Sequence, residues 1–327
     1  MKKSPVLSVS WVPSVSRAAA LALLLALAAC PPPASAQATY VAVGDSLAYG
    51  FMDAVVTPIG TAGFPGYAQS YAAFLSAPGR TVSLVNLGIV GETTDSLLHN
   101  AAGNSALNTN YSAAAPTSQC DLLLTKLNST VSNVTVQIGG NDILNLASNP
   151  VFQDAFVDGD TATVQTLLQG TLAQIGANYD VLLTRIDALV PGAHVQALGY
   201  YNPYAFLPPT SLNNIYLRAS SIPLEQGLND IIAHEAALHH NQFVDLAPAF
   251  NAHGGDYNKY VLTDELVPTA FGPLPNDHPT IQGYKLIADQ LAAAPVPEAS
   301  TALSFGLLAA LGLGGLAVAV RRRKTRA

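Results

Sequence analysis

Thr39-Tyr40-Val41-Ala42-Val43-Gly44-Asp45-Ser46-Leu47 is the stretch from which the fold can be read. Five residues of short apolar or β-favouring type run into a glycine, an acid and a serine. A run of this kind is a strand covered on both faces, and the Gly-Asp-Ser end is a strand-to-helix turn. The pattern then repeats along the chain. Residues 81–87, 133–138, 194–198 and 243–246 read as further strands. Between them lie helical patterns. In residues 162–190 the apolar positions Val164, Leu167, Leu168, Leu172, Ile175, Tyr179, Leu182, Leu183, Ile186 and Leu189 recur at helical spacing, and Pro191-Gly192 stops the helix. Residues 211–240 form another helix with Pro223 as a break or kink, and 280–293 a last one. Strand–helix alternation predicts an α/β sandwich on a parallel sheet, with functional residues gathered at the carboxyl ends of the strands. Two stretches break the alternation. Residues 101–119 and 146–161 are polar and irregular, and read as surface excursions.

The two ends read as targeting segments. Lys2, Lys3 and Arg17 precede an apolar run from Ala18 to Ala29, then Ala34-Ser35-Ala36. Positive start, short apolar core and small-residue site describe a secretory signal over 1–36. Leu27-Ala28-Ala29-Cys30 also resembles a lipoprotein cleavage box, so cleavage falls either after Ala36 or before Cys30. Residues 302–320 form a second apolar run, long enough to span a bilayer, followed by Arg321-Arg322-Arg323-Lys324. The basic cluster belongs on the cytoplasmic side, which leaves the region between the two ends outside the cell. The expected organisation is a signal peptide over 1–36, a main domain over 37–293, and a linker with a transmembrane helix and basic tail over 294–327.

Composition limits the function. The chain has 327 residues, half of them hydrophobic and 11% charged, so it has enough apolar residues for a sizeable core. Residues 37–295 carry six basic side chains against 20 acidic ones, a net −14. A domain this acidic repels phosphate backbones, which argues against nucleic acid as a partner. Only two cysteines exist, and Cys120 reads as a small buried hydrophobe. His234-Glu235 with His239 and His240 fails the zinc-protease pattern, which needs a histidine at position 238, where Leu238 stands. Neither a phosphate-cradling glycine loop nor a G-x-S-x-G elbow occurs. No cofactor and no metal are expected.

Four short blocks carry the chemistry. They are Gly44-Asp45-Ser46-Leu47, Asn86-Leu87-Gly88 followed by Gly91, Gly139-Gly140-Asn141-Asp142, and Asp277-His278-Pro279-Thr280. Acyl transfer needs a nucleophile, a base to take its proton, a group to orient the base, and donors for the oxyanion. Ser46 supplies the nucleophile and His278 the base. Gly88 can offer an unobstructed backbone N–H, and Asn141 an amide. Each residue alone also has a purely structural reading, as a helix cap or a turn glycine.

Together these blocks resemble the SGNH hydrolases, also called GDSL esterases and lipases, over residues 39–293. The resemblance implies a flavodoxin-like three-layer α/β/α sandwich on a five-stranded parallel sheet. It also implies a serine acyl-enzyme mechanism, with the family's name letters falling on Ser46, Gly88, Asn141 and His278. The oxyanion would be bound by the Ser46 N–H, the Gly88 N–H and the Asn141 side chain. The chain departs from the pattern at the triad acid. Three residues before the histidine stands Pro275, and the nearest acid is Asp277. Neighbouring side chains in an extended segment point to opposite faces. Asp277 therefore reaches the His278 ring only if the loop turns there, which Asn276 can help; otherwise a backbone carbonyl such as that of Pro275 orients the ring. The tail from Val296-Pro297-Glu298-Ala299-Ser300 onward resembles a PEP-CTERM sorting signal, which implies an exosortase-type processing enzyme as a partner. The implied substrate is an ester: a lipid, a small acyl ester or an acylated polysaccharide. A deacetylase of surface polysaccharide and an inactive surface-binding protein on the same scaffold are the rival readings.

Overall fold

The computed structural model describes residues 37–52, 66–76, 80–100, 108–111, 118–269 and 272–294. Both terminal segments, and with them the signal, Cys30 and sorting-tail expectations, lie outside the described residues. Among the described residues no helix is long and apolar enough to cross a membrane.

Five parallel strands make the central sheet: β1 (Ala38–Gly44), β2 (Val82–Asn86), β3 (Val131–Gln137), β4 (His194–Leu198) and β5 (Gln242–Val244). Their order across the sheet is β2-β1-β3-β4-β5. β1 is the hinge of this order: the chain steps outward from it to β2, then returns past it to β3. The reversal opens a crevice at the carboxyl end of β1, where ligands of doubly wound sheets bind. β1 is buried almost throughout because it has neighbours on both edges and helices on both faces.

Helix α1 (Ser46–Tyr49) is a single turn after β1, and α2 (Tyr67–Leu75) follows it. Next come α3 (Thr94–His99), α4 (Gln119–Lys126), α5 (Gly140–Ala147), α6 (Pro150–Asp158), the long α7 (Thr161–Leu189) and α8 (Leu212–Leu238), then α9 (Ala247–Asn251) and α10 (Ile281–Ala293). α2 packs against α10, while α4, α7 and α8 pack in series. The two groups form the outer layers of a three-layer α/β/α sandwich, as the resemblance implies.

Three differences from the sequence reading have physical causes. Residues 146–161 are not irregular. Asn149 caps α6 through its side chain, Pro150 opens it, and Gly159 closes it in a left-handed conformation. Pro223 does not break α8, which runs from Leu212 to Leu238. Proline removes only one backbone donor, the helical partner of the Ala219 carbonyl, and the helix continues on both sides of it. A small antiparallel hairpin of β6 (Leu266–Thr269) and β7 (Gly272–Pro275) precedes His278 and was not foreseen. Cys120 is fully buried, with the Arg185 guanidinium donating to its Sγ at 3.2 Å.

Candidate active site

The nucleophile position is fixed first. Asp45 caps α1, its Oδ1 accepting the Leu47 N–H at 2.9 Å, and this places Ser46 at the first helical position. The end of β1 is pinned from α4: the Gln119 side chain accepts from the Gly44 N–H and donates to the Gly44 carbonyl, which also accepts the Ile89 N–H. The Ser46 side chain then faces a cavity of about 220 Å³.

His278 arrives from the far end of the chain. Its backbone carbonyl accepts the Leu262 N–H, and Pro279 bridges to Val261, so the loop is anchored on both sides of the ring. Nε2 lies 2.9 Å from Ser46 Oγ. Nδ1 meets two acceptors, Asn276 Oδ1 at 2.9 Å and Asp277 Oδ1 at 3.1 Å. Both are oxygens without a proton to give, so Nδ1 carries the ring proton and Nε2 is left as the acceptor for the serine hydroxyl. The Asn276 amide is itself oriented: its Nδ2 donates to the Met52 carbonyl, while Oδ1 also accepts the His278 N–H. Phe51 packs edge-on against the imidazole, ring centroids 4.7 Å apart. The loop does turn at Asn276, so Asp277 reaches the ring, and Asn276 shares the task.

Around this pair the electrostatics are uneven. Burial pushes the Asp45 carboxyl up to about 7, with the Tyr200 hydroxyl and the Leu47 N–H pulling it partly back. The Tyr200 O–H donates to Asp45 Oδ2 at 2.5 Å. Burial also works to raise Asp277, but the neighbouring His278 charge and hydrogen bond hold it below the ordinary carboxylate value. Tyr201 donates to the Asp277 carbonyl at 2.6 Å. Thus Tyr200 and Tyr201, adjacent at the end of β4, brace the nucleophile strand and the base loop respectively. Asn229 of α8 fixes Tyr200 in turn, accepting from its N–H and donating to its carbonyl.

The oxyanion side holds one agreement and one change. Asn141 lines the cavity at the start of α5. One N–H of its Nδ2 donates to the Glu92 carbonyl at 2.8 Å, which aims the amide and leaves the second N–H. Asp142 ties this helix to the second block by accepting from the Thr94 N–H and hydroxyl. Gly88 does not meet the role expected of it. Its N–H donates to Asn86 Oδ1 at 2.9 Å, and it is not among the residues lining the cavity. Its lack of a side chain serves packing, since a Cβ there would lie 2.3 Å from the Tyr49 nitrogen. Gly91, three residues on, lines the cavity with φ +83. The sequence quoted Gly91 in the same block, but nothing in its spacing set it above Gly88. Asn276 left a fainter signal, an Asn two residues before the base, where such side chains commonly bond the backbone.

A family model for GDSL-like lipases and acylhydrolases matches residues 42–286. The chain belongs to this family. It is accordingly a hydrolase of ester bonds. Among solved structures it is similar to an extracellular lipase from Streptomyces rimosus, with 23% identity, a TM-score of 0.53, and coverage of 79% of this chain and 100% of that one. A phospholipase A1 from Streptomyces albidoflavus follows at 22% identity, TM-score 0.50, with 79% and 99% covered. A lipase from a goat rumen metagenome stands at 19% identity, TM-score 0.50, with 78% and 96% covered. These likenesses concern the fold. No curated protein matches.

Proposed function

We propose that this GDSL-family chain is an extracytoplasmic serine esterase of apolar acyl esters, working through an acyl-enzyme on Ser46. The observation that carries the reading is the His278 ring, with Nε2 on Ser46 Oγ and a protonated Nδ1 on two acceptors. The Ser46 hydroxyl gives its proton to Nε2 as Oγ attacks the ester carbonyl. The tetrahedral oxyanion is met by the Ser46 N–H, the Asn141 amide and the Gly91 N–H, which replaces Gly88 in this scheme. Asn276 and Asp277 steady the imidazolium. The proton then passes to the leaving alkoxide, and water repeats the sequence on the acyl-enzyme to release the acid.

The acyl preference follows from the cavity wall. Beyond Asn141 its apolar part is formed by Ile143, Leu144, Leu217, Leu224 and Leu228, beside the polar Ser220, Ser221 and Glu225. A buried methylene contributes about 0.8 kcal/mol, so each one seated there raises kcat/KM about fourfold. This wall favours a lipase-like or medium-chain esterase activity over an acetyl-specific polysaccharide deacetylase. The assembled Ser46–His278 pair argues against an inactive binding protein. The exported, tail-anchored setting, and processing by an exosortase-type enzyme, rest on residues 1–36 and 294–327 of the sequence.

The deciding assay sets p-nitrophenyl acetate, butyrate and decanoate against the wild type and Ser46→Ala. The expected result is a ranking that rises with chain length, and loss of turnover by at least about 10³-fold in the variant at unchanged Tm. A flat or acetate-first ranking would turn the substrate assignment towards the deacetylase, and undiminished turnover in Ser46→Ala would overturn the mechanism.

A further inference from the structure

The second half of α7 and the carboxyl end of α8 carry a polar cluster that the esterase chemistry does not use. The two helices run parallel: Gly227 faces Leu172, and Gly176 faces Ile231 and Glu235. One turn further on, ligand-type atoms of Asp180, Glu235 and His239 all lie within 4.8 Å of one another. His239 is caught between two carboxylates, with Nε2 3.0 Å from Asp180 Oδ1 and Nδ1 3.1 Å from Asp187 Oδ2. Asp187 is held by Asn241, whose Nδ2 donates to its Oδ1 at 3.3 Å. Glu235 is only 7% exposed, yet its Oε2 is buried with no hydrogen-bond partner. Among the described residues no lysine or arginine forms an ion pair with these acids.

A buried carboxylate oxygen without a partner is costly, and three carboxylates around one imidazole leave the group anionic whichever way the ring is protonated. A neutral ring has one N–H and so can serve only one of its two neighbours. A cation on Nε2 resolves both problems. We propose that Asp180, Glu235 and His239 bind a divalent transition-metal ion, zinc by preference, as a clamp between α7 and α8. Asp187 then accepts the Nδ1 proton and orients the ring, the usual second partner of a metal-bound histidine. One imidazole nitrogen with two carboxylate oxygens suits zinc or manganese rather than calcium or magnesium, and leaves a fourth position for water. Tetrahedral zinc ligands sit about 3.4 Å apart, and Asp180 Oδ1 already stands 3.0 Å from His239 Nε2. The carboxyl end of α8, with His239 as its cap, adds negative potential at the same place.

The sequence dismissed a zinc site here because a protease motif needs histidines four apart. The pair four apart on this helix is Glu235 and His239, and the third ligand comes from another helix. The cluster lies where α7 and α8 lead into the amino ends of β4 and β5, whereas Ser46 follows the carboxyl end of β1, so the ion acts on stability rather than on ester cleavage.

The test uses the full chain freed of metal with a chelator, then titrated calorimetrically with zinc, manganese and calcium chlorides while Tm is followed. The expected outcome is one zinc per chain, a Tm raised by several degrees, weaker or absent calcium binding, and unchanged esterase kcat/KM. Glu235→Gln and His239→Gln should each weaken zinc at least about tenfold and remove the Tm rise, and Asp187→Asn should weaken it about 10- to 100-fold. His234→Gln should leave binding as it was. If a core variant folds poorly by circular dichroism, Asp180→Asn at the surface gives the same comparison. No saturable zinc binding to the wild type, or binding untouched in Glu235→Gln, His239→Gln and Asp180→Asn, would overturn the site.

Discussion

At the scale of single residues, the base is oriented by two neighbours where one carboxylate would suffice. Asn276 Oδ1 and Asp277 Oδ1 both sit within hydrogen-bonding reach of His278 Nδ1. Removing either should therefore leave a partly oriented ring. Asp277→Asn is expected to lower kcat by well under the ~10⁴-fold seen when a triad loses its sole orienting carboxylate. The Asn276→Ala/Asp277→Asn double variant should lose more than the product of the two single losses, measured as steady-state kcat on one ester. Ser46, His278 and Asn141 were legible in the sequence because each is the only residue of its type in a block at a strand end or helix start. Asp277 stayed ambiguous there, since whether adjacent side chains share a face depends on a local turn. Gly88 and Gly91 could not be separated, because a glycine's reason for being glycine is a distance or a φ angle.

At the scale of elements, the end of β2 and the single turn α1 touch backbone to backbone. A Cβ on Gly88 would meet the Tyr49 nitrogen at 2.3 Å and the Ala48 carbonyl carbon at 2.7 Å, and neither can yield without moving α1. Gly88→Ala should destabilise the fold by about 1–3 kcal/mol, read by urea denaturation, and should disturb Ser46 with it. Gly91→Ala meets open space and carries only the strain of a left-handed φ, about 1–2 kcal/mol. Its larger effect should fall on kcat if that N–H meets the oxyanion, so the two alanine variants trade places between the stability and activity assays. Strands and the long helices α7, α8 and α10 were legible from apolar periodicity. α6 and the β6–β7 hairpin were not: one is polar enough to resemble a loop, and the other carries Pro268, Pro273 and Pro275, which argue against strands until they are placed in a two-stranded ribbon.

At the scale of the whole molecule, buried acids set how stability depends on pH. Asp45 is raised to about 7 in the folded chain, mainly by burial. Between its unfolded value and about 7 the folded state binds more protons than the unfolded state, so stability falls as pH rises through that window. The loss is up to about 4 kcal/mol for a shift of this size. Glu225, raised to about 7 by burial and by the charge of Asp245, adds in the same direction. Asp277, held low, acts oppositely, its contribution being lost as pH falls through its folded value. Asp45→Asn should keep the Leu47 cap and flatten the decline between pH 4 and 7 in a Tm series. The parallel α/β sandwich could be read from strand–helix alternation, because the burial it requires is written into every strand. The packing of α2 on α10 could not, since it joins segments more than 200 positions apart.

That long separation has a temporal meaning. Nucleophile and base lie 232 residues apart, one at the end of β1 and the other just before α10. Synthesis runs from the amino end, so Ser46 is made early and stays unpaired with its activator until the segment carrying His278 has been made and α10 has docked on α2. A nascent or truncated chain is thus chemically silent, and the hydrolase is switched on by the completion of its own folding.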